Sequence, residues 1–180
     1  MKELKEILRT FRSNRDFTSL TEVLTENAII REDLFQIIKN KTEYPYSEHA
    51  SWILIHFTKA KPNLTQAKIN LLIDILFESN NQTVLRNVLC TLNQLKLSDY
   101  RESELIDLLV NFILDKNNKV ALHVYAIQML VKFIKKYPDL KQEVDQVLTI
   151  QIDNASPAFI SAVKSYHKMF EITKKSPLNK

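Results

Sequence analysis

Residues 71–86 read LLIDILFESNNQTVLR and residues 108–123 read LLVNFILDKNNKVALH, so one pattern returns without a gap after 37 residues. The two stretches match apolar with apolar at almost every core position, and five residues recur unchanged. Asn154 lies another 37 residues beyond Asn117, again just before a predicted helix with Pro157 in its first turn, where proline is favoured. A fixed repeat of this length predicts successive structural units that share one register.

A second repeated pattern predicts where helices end. Residues 57–66 read FTKAKPNLTQ and residues 133–142 read FIKKYPDLKQ. Lysines favour the last turn of a helix, and the proline stops it. Asn63 or Asp139, each followed by glutamine three residues later, is typical of a capping box that starts the next helix. We therefore predict a helix-turn-helix corner at both places.

Between the corners the apolar residues lie three and four residues apart, which predicts helices. They form four hairpins, each with an outer and an inner helix. The outer helices are predicted near residues 31–41, 64–79, 99–117 and 139–154. The inner helices are predicted near residues 46–62, 81–97, 118–137 and 156–175. Residues 2–12 and 17–27 add an N-terminal helical cap.

The chain of 180 residues contains no glycine, where average usage of about 7% would give roughly a dozen. Loops that cradle phosphates need glycine for positive φ and for close approach of the backbone. Tight β-hairpin turns also lose their preferred residue. The composition therefore excludes the glycine-rich nucleotide-binding loops and favours helices joined by Asn and Pro turns, with no cofactor expected.

We predict one domain over residues 1–180, with a cap, four repeats and a tail. The cap covers residues 1–30, the repeats cover 31–62, 63–98, 99–137 and 138–175, and the tail covers 176–180. The first residues lack the continuous apolar stretch of a signal peptide, and no run approaches the ~20 apolar residues of a membrane span. A lone cysteine, Cys90, suits a reducing compartment and falls at an apolar repeat position. These features predict a cytoplasmic protein without a membrane partner, and a buried structural thiol.

Over residues 31–175 the chain resembles the HEAT and armadillo families of helical repeats. In the HEAT pattern an Asp in the turn and a Val-Arg pair open the second helix. Val84 and Leu92 fit the apolar positions, but Leu85 stands at the Arg position. The resemblance implies an all-α, right-handed α-α superhelix, or solenoid, of about four hairpins plus the cap, whose inner helices line a concave face. A compact helical bundle is the alternative.

Charge separates the predicted helices. The inner helices hold two acidic residues, Glu48 and Glu171, against twelve basic ones, whereas acidic residues outnumber basic ones in the outer helices. A groove of one sign attracts polyanions. Many of these lysines occupy last helical turns, where the helix dipole alone would favour them. Helix ends do not explain four of the cations: Arg86, Lys132, Lys164 and Lys168.

His49, Arg86 and His123 are spaced 37 residues apart, so stacked repeats would align them as a ladder. Trp52 lies one turn from His49 on the same predicted helix. A ladder often only joins neighbouring repeats, and a single tryptophan is more often part of a core. The candidate contact residues for a partner are His49, Trp52, Arg86, His123, Lys132, Lys164 and Lys168.

The sequence offers no constellation for catalysis or for a metal. His49 and His56 are seven residues apart, about 10 Å along a helix, which is too far for both to bind one zinc ion. We expect a non-enzymatic scaffold that binds a protein partner through its concave face. A nucleic-acid binder is the alternative, since the DNA alkylation-repair glycosylases are similar HEAT-like solenoids, although the inner helices here lack their catalytic Asp. An enzyme of unknown reaction is the third hypothesis.

Overall fold

A computed structural model describes residues 1–153 and 155–174, except for the side chains of residues 12–14 and 172–174. Asn154, Lys175 and the predicted tail 176–180 lie outside the described residues. The part of the repeat register that depends on Asn154 therefore stays a prediction.

The described residues form ten α-helices and no β-strand. In chain order these are α1 (Lys2–Asn14), α2 (Phe17–Glu26), α3 (Ala28–Lys39), α4 (Tyr46–Ala60), α5 (Gln66–Glu78), α6 (Gln82–Asn93), α7 (Glu102–Leu114), α8 (Val120–Lys136), α9 (Leu140–Ile152) and α10 (Pro157–Lys174). The predicted all-α class is confirmed, and each predicted helix has its counterpart. Helix α6 ends at Asn93 rather than near 97, because the chain tightens there into backbone bonds from Gln94 to Thr91 and from Leu95 to Leu92.

The helices divide into two compact units, Met1–Tyr100 and Arg101–Lys180. The boundary falls close to the predicted boundary between the second and third repeats. Each unit has its own buried apolar residues. The single domain over residues 1–180 stays a prediction.

In the first unit, α3 packs against α4 and α5 packs against α6, so two hairpins are formed. The inner helices α4 and α6 lie side by side in the most extensive contact of the unit, and α1 and α2 both pack on α3 and α4. The completely buried side chains at the centre include Leu34, Phe35, Leu54, Leu72 and Leu89. Neighbouring hairpins thus cover the apolar face that one hairpin could not bury alone.

The second unit repeats this arrangement. Helix α7 packs against α8, α10 lies beside α8, and α9 lies beside α7. Its core includes Leu109, Leu122, Leu130, Leu148 and Tyr166. An inner helix is therefore next to an inner helix, and an outer helix next to an outer one, as a stacked repeat requires.

The predicted capping boxes are wrong. Helix α5 has Thr65 rather than Asn63 at its N-cap, and the side chain of Gln66 donates to Asn70 and Ser98 instead of to the cap. Asp139 does occupy the N-cap of α9, but its side chain caps no backbone N–H. The reason is that the chain is already coiled there, with backbone bonds from Leu140 to Tyr137 and from Lys141 to Pro138.

The Asn-Asn turns of the repeat also play two different roles. Asn81 is the N-cap of α6, and its Oδ1 accepts from the backbone N–H groups of Thr83 and Val84. Asn118, its equivalent after 37 residues, instead donates from Nδ2 to the carbonyl of Phe112, and Lys119 takes the N-cap of α8. Equivalent asparagines therefore have different roles. Asn81 caps the start of α6, whereas Asn118 bonds to the last turn of α7, the helix before α8.

Candidate functional site

A buried polar network joins the inner helices α4 and α6. Asn87 on α6 is 0% exposed, and its Nδ2 donates to Ser51 Oγ on α4 over 3.0 Å. Ser51, also fully buried, donates in turn to the carbonyl of Glu48 over 2.9 Å. The side chains of Asn87 and Ser51 therefore both have a partner, which a buried amide needs.

The side-chain amide of Asn87 also binds Arg86, which is less buried than Asn87 and Ser51. Asn87 Oδ1 accepts from Arg86 Nε over 3.1 Å and from Arg86 Nη2 over 2.8 Å. A guanidinium has five N–H donors in a planar fork, so the remaining donors of half-buried Arg86 stay available. Because Asn87 is itself fixed by Ser51, the guanidinium of Arg86 is held in one orientation.

Glu48 has a partner that the sequence did not indicate. Its Oε1 accepts from Asn81 Nδ2 over 3.0 Å, while Asn81 Oδ1 caps α6. Glu48 is half-buried. The reason is that α4 lies against the start of α6, which brings a capping side chain to the carboxylate. Glu48 keeps its negative charge, since Asn81 is neutral, and with Lys59 on α4 and Arg86 on α6 the two helices carry a formal net charge of +1.

His49 and Trp52 both lie on α4 and are half-buried. Trp52 packs within an aromatic cluster: its ring centroid is 5.7 Å from that of Phe11, 5.4 Å from that of Phe17 and 5.1 Å from that of His56. This cluster ties α1 and α2 to α4. The structure therefore gives Trp52 a packing role, and its contact with a partner stays a prediction.

His56 was not among the candidate contact residues, and it sits in that aromatic cluster. Its ring lies 4.0 Å from the ring of Phe17, centroid to centroid. Burial lowers the pKa of His56, and the nearby charge of Lys59 lowers it further. The imidazole is thus an aromatic packing element of the first unit.

His123 belongs to the second unit and is only 8% exposed. Its Nε2 is 3.2 Å from the carbonyl of Asp115, and its ring meets Phe159 edge to face at 5.7 Å. Such an environment favours a structural role. The ladder of His49, Arg86 and His123 would extend across both units and stays a prediction.

The remaining candidate cations lie in the second unit. Lys132 on α8 is half-buried, and burial lowers its pKa. Lys164 and Lys168 are exposed on α10. These two lysines are four positions apart in the sequence, so they share one face of that helix.

Several lysines of the inner helices lie at helix ends, as the sequence predicts. Lys59 occupies the last turn of α4, and Lys135 and Lys136 occupy the last turn of α8. Lys136 also pairs with Glu102 over 2.8 Å. Part of the positive charge counted on the inner helices is therefore neutralised by a carboxylate of the same unit.

Sequence reasoning missed a charged cluster in the second unit. Buried Tyr166 donates from its hydroxyl to Asp145 Oδ1 over 2.8 Å, and Lys141 pairs with the other carboxylate oxygen. Burial on its own would raise the pKa of Asp145, but the hydrogen bonds from Lys141 and Tyr166 outweigh it and lower the pKa. Burial and the same hydrogen bond raise the pKa of Tyr166.

We expect Tyr166→Phe to lower the free energy of unfolding of the second unit by about 1–2 kcal/mol near neutral pH, because a hydrogen bond to a charged group is lost. Since the folded pKa of Asp145 lies below its unfolded value, the stabilisation is present above the unfolded pKa and disappears as the pH falls through the folded one. Urea titrations of both proteins between neutral and acidic pH test this. The difference between wild type and variant should shrink on acidification, and a difference that stays constant would contradict it.

Within the described ranges, no group of three or more His, Cys, Asp or Glu side chains could hold a metal ion. No helix in the same ranges is both long and apolar enough to cross a membrane. Cys90 is a free thiol that is half-buried rather than buried as predicted, since α6 turns this position towards the edge of its packed face.

Comparison with known proteins gives one match. The family model described as a HEAT repeat domain matches residues 4–170, which is nearly the whole chain. No curated protein and no solved structure matches.

Proposed function

The chain belongs to the HEAT repeat family, which confirms the predicted helical-repeat fold, and on this premise we propose that it is a non-enzymatic scaffold that binds a protein partner. The proposed contact surface in the first unit is the face formed by α4 and α6. Its central residue is Arg86, and His49 on α4 is the second candidate there. We propose that this face receives an extended segment carrying a carboxylate.

The single observation that carries this proposal is the fixed guanidinium of Arg86. Arginine binds carboxylates through two parallel N–H groups, and orientation by Asn87 removes part of the entropy that a free side chain would lose on binding. A residue used only for packing would not need a buried amide to hold its charged end. The half-buried position also strengthens the attraction relative to open water.

Lys132, Lys164 and Lys168 are the proposed contacts of the second unit, on α8 and α10. They support the same preference for acidic partner segments, since all three are cations on inner helices. A cytoplasmic location is part of the proposal and is supported by the lone free thiol of Cys90.

We expect Arg86→Ala to abolish capture of a protein that wild type captures from nuclease-treated cell extract, measured by quantitative mass spectrometry. Arg86→Lys should recover only part of it, because an ammonium keeps the charge but cannot present the planar fork. The matched control is Lys39→Ala, which removes one positive charge from the last turn of the outer helix α3 in the same unit. Equal loss in Arg86→Ala and Lys39→Ala would contradict the proposal.

Duplex DNA is the competing ligand, and fluorescence anisotropy at two salt concentrations distinguishes it. Binding of DNA through phosphates should weaken with salt by a log-log slope of about 0.9 per neutralised phosphate. Steep, Arg86-dependent binding of DNA would favour the nucleic-acid function over the protein scaffold. No DNA binding at low salt, together with the expected capture, would favour the scaffold.

A further inference from the structure

A second surface of the first unit lies between α1 and α2. These helices meet at their junction, where the rings of Phe11 and Phe17 are 4.8 Å apart, and they pack mainly on α3 and α4 rather than on each other. A cleft of about 380 Å³ is left open between them. This cleft involves neither Arg86 nor the α4–α6 network.

The floor of the cleft is apolar. Phe11 and Leu20 lie beneath it and are buried, whereas Ile7 and Val23 remain half-buried and line its walls. Apolar side chains that stay open to solvent inside a polar rim mark interaction sites. Ile7 and Val23 would gain burial from an apolar side chain inserted between them.

The rim of the cleft is acidic. Glu3 and Glu6 on α1 and Asp16 at the start of α2 are the charged side chains that line it, and all three are exposed. Glu6 also pairs with Arg9 over 3.1 Å. Both side chains are exposed, so this ion pair is weak and Arg9 is a weak competitor for a cation of a partner. The Asp16 carboxylate accepts from Ser19 Oγ over 2.6 Å and from the Ser19 backbone N–H over 3.1 Å, and these bonds lower its pKa. No lysine or arginine among the described side chains lines the cleft.

We propose that the cleft between α1 and α2 docks a basic amphipathic helix of a partner protein, whose apolar residues enter between Ile7 and Val23 while its lysines or arginines meet Glu3, Glu6 and Asp16. An apolar stripe at helical spacing matches a groove between two helices. The carboxylates select the sign of the flanking charges. They also disfavour anionic lipid headgroups and nucleic acid, which like-charge repulsion would keep away.

The surface is distinct from the α4–α6 face, and the charges it selects are opposite. Arg86 attracts carboxylates, whereas the cleft attracts cations. A chain with both surfaces could hold an acidic segment and a basic helix at once, which is the arrangement that a scaffold uses to bring two partners together.

The test uses the full chain and a fluorescently labelled helical peptide of leucine and lysine, with leucines three and four residues apart, followed by anisotropy. The peptide should bind, and its counterpart with glutamate in place of lysine should not. Glu3→Gln with Glu6→Gln should weaken binding of the leucine-lysine peptide by about fivefold, since two exposed charge pairs are lost. Ile7→Ala should weaken it by about tenfold through lost apolar contact.

The matched control is Glu22→Gln with Glu26→Gln, which removes the same charge from exposed positions of α2 outside the cleft. Its binding should stay within twofold of wild type, and Trp52 fluorescence during urea unfolding checks that every variant is folded. Equal weakening by the control pair, or equal binding of the leucine-glutamate peptide, would overturn the proposal. Self-association in sedimentation that Glu3→Gln with Glu6→Gln abolishes would assign the cleft to a second copy of the chain and overturn it as well.

Discussion

Replacing Leu54 by alanine should lower the free energy of unfolding of the first unit by about 2–5 kcal/mol. Leu54 is 0% exposed on α4, and α4 packs on α2, α3 and α6. Truncation removes apolar surface from the core and leaves a cavity inside it. Because these helices also hold each other, the cavity cannot collapse by moving one side chain.

Urea titration followed by tryptophan fluorescence measures this change in the first unit directly, since Trp52 on α4 is the single tryptophan and packs against Phe11 of α1 and Phe17 of α2. The control is Ile29→Ala, at a residue of α3 that is 76% exposed. It should change the free energy of unfolding by no more than about 0.5 kcal/mol. A similar loss in both variants would mean that α4 is not the centre of the packing.

The second large effect concerns the polar network. Asn87→Ala should cost about 1–3 kcal/mol, because it removes a buried amide whose hydrogen bonds reach both Ser51 and Arg86. The charged end of Arg86 then loses its fixed acceptor. We therefore expect the variant to lose partner capture together with stability.

A double-mutant cycle separates two effects of Asn87, its own contribution to the free energy of unfolding and its interaction with the guanidinium of Arg86. Arg86→Ala combined with Asn87→Ala should cost less than the sum of the two single changes, with a coupling of about 0.5–3 kcal/mol. Asn80→Ala, in the exposed turn before α6, serves as the control for loss of an amide and should stay within about 0.5 kcal/mol of wild type. Additive costs for Arg86 and Asn87 would contradict the view that Asn87 orients the guanidinium.

Repeat spacing located equivalent helices but not equivalent contacts. The pair Asn81 and Asn118 shows this, since the same residue caps α6 in one unit and closes α7 in the other. Burial diverges at individual positions as well, since Arg86 is half-buried whereas His123, its equivalent after 37 residues, is buried. Sequence analysis therefore identified Arg86 as a candidate without its partner Asn87, and proposed contact for His123, which the structure buries.

The sequence alone predicted the all-α class, the order of the hairpins, the helix positions to within a few residues, and the family resemblance. All of these depend on local signals: apolar residues three and four apart, proline and lysine at corners, the absence of glycine, and a pattern that returns after 37 residues. Tertiary structure alone decided which side chains meet. The Ser51, Asn87 and Arg86 network, the aromatic cluster around Trp52 and the acidic cleft beside Ile7 all depend on how each helix is rotated against its neighbour. That rotation is set by packing over whole faces, which no single stretch of sequence contains.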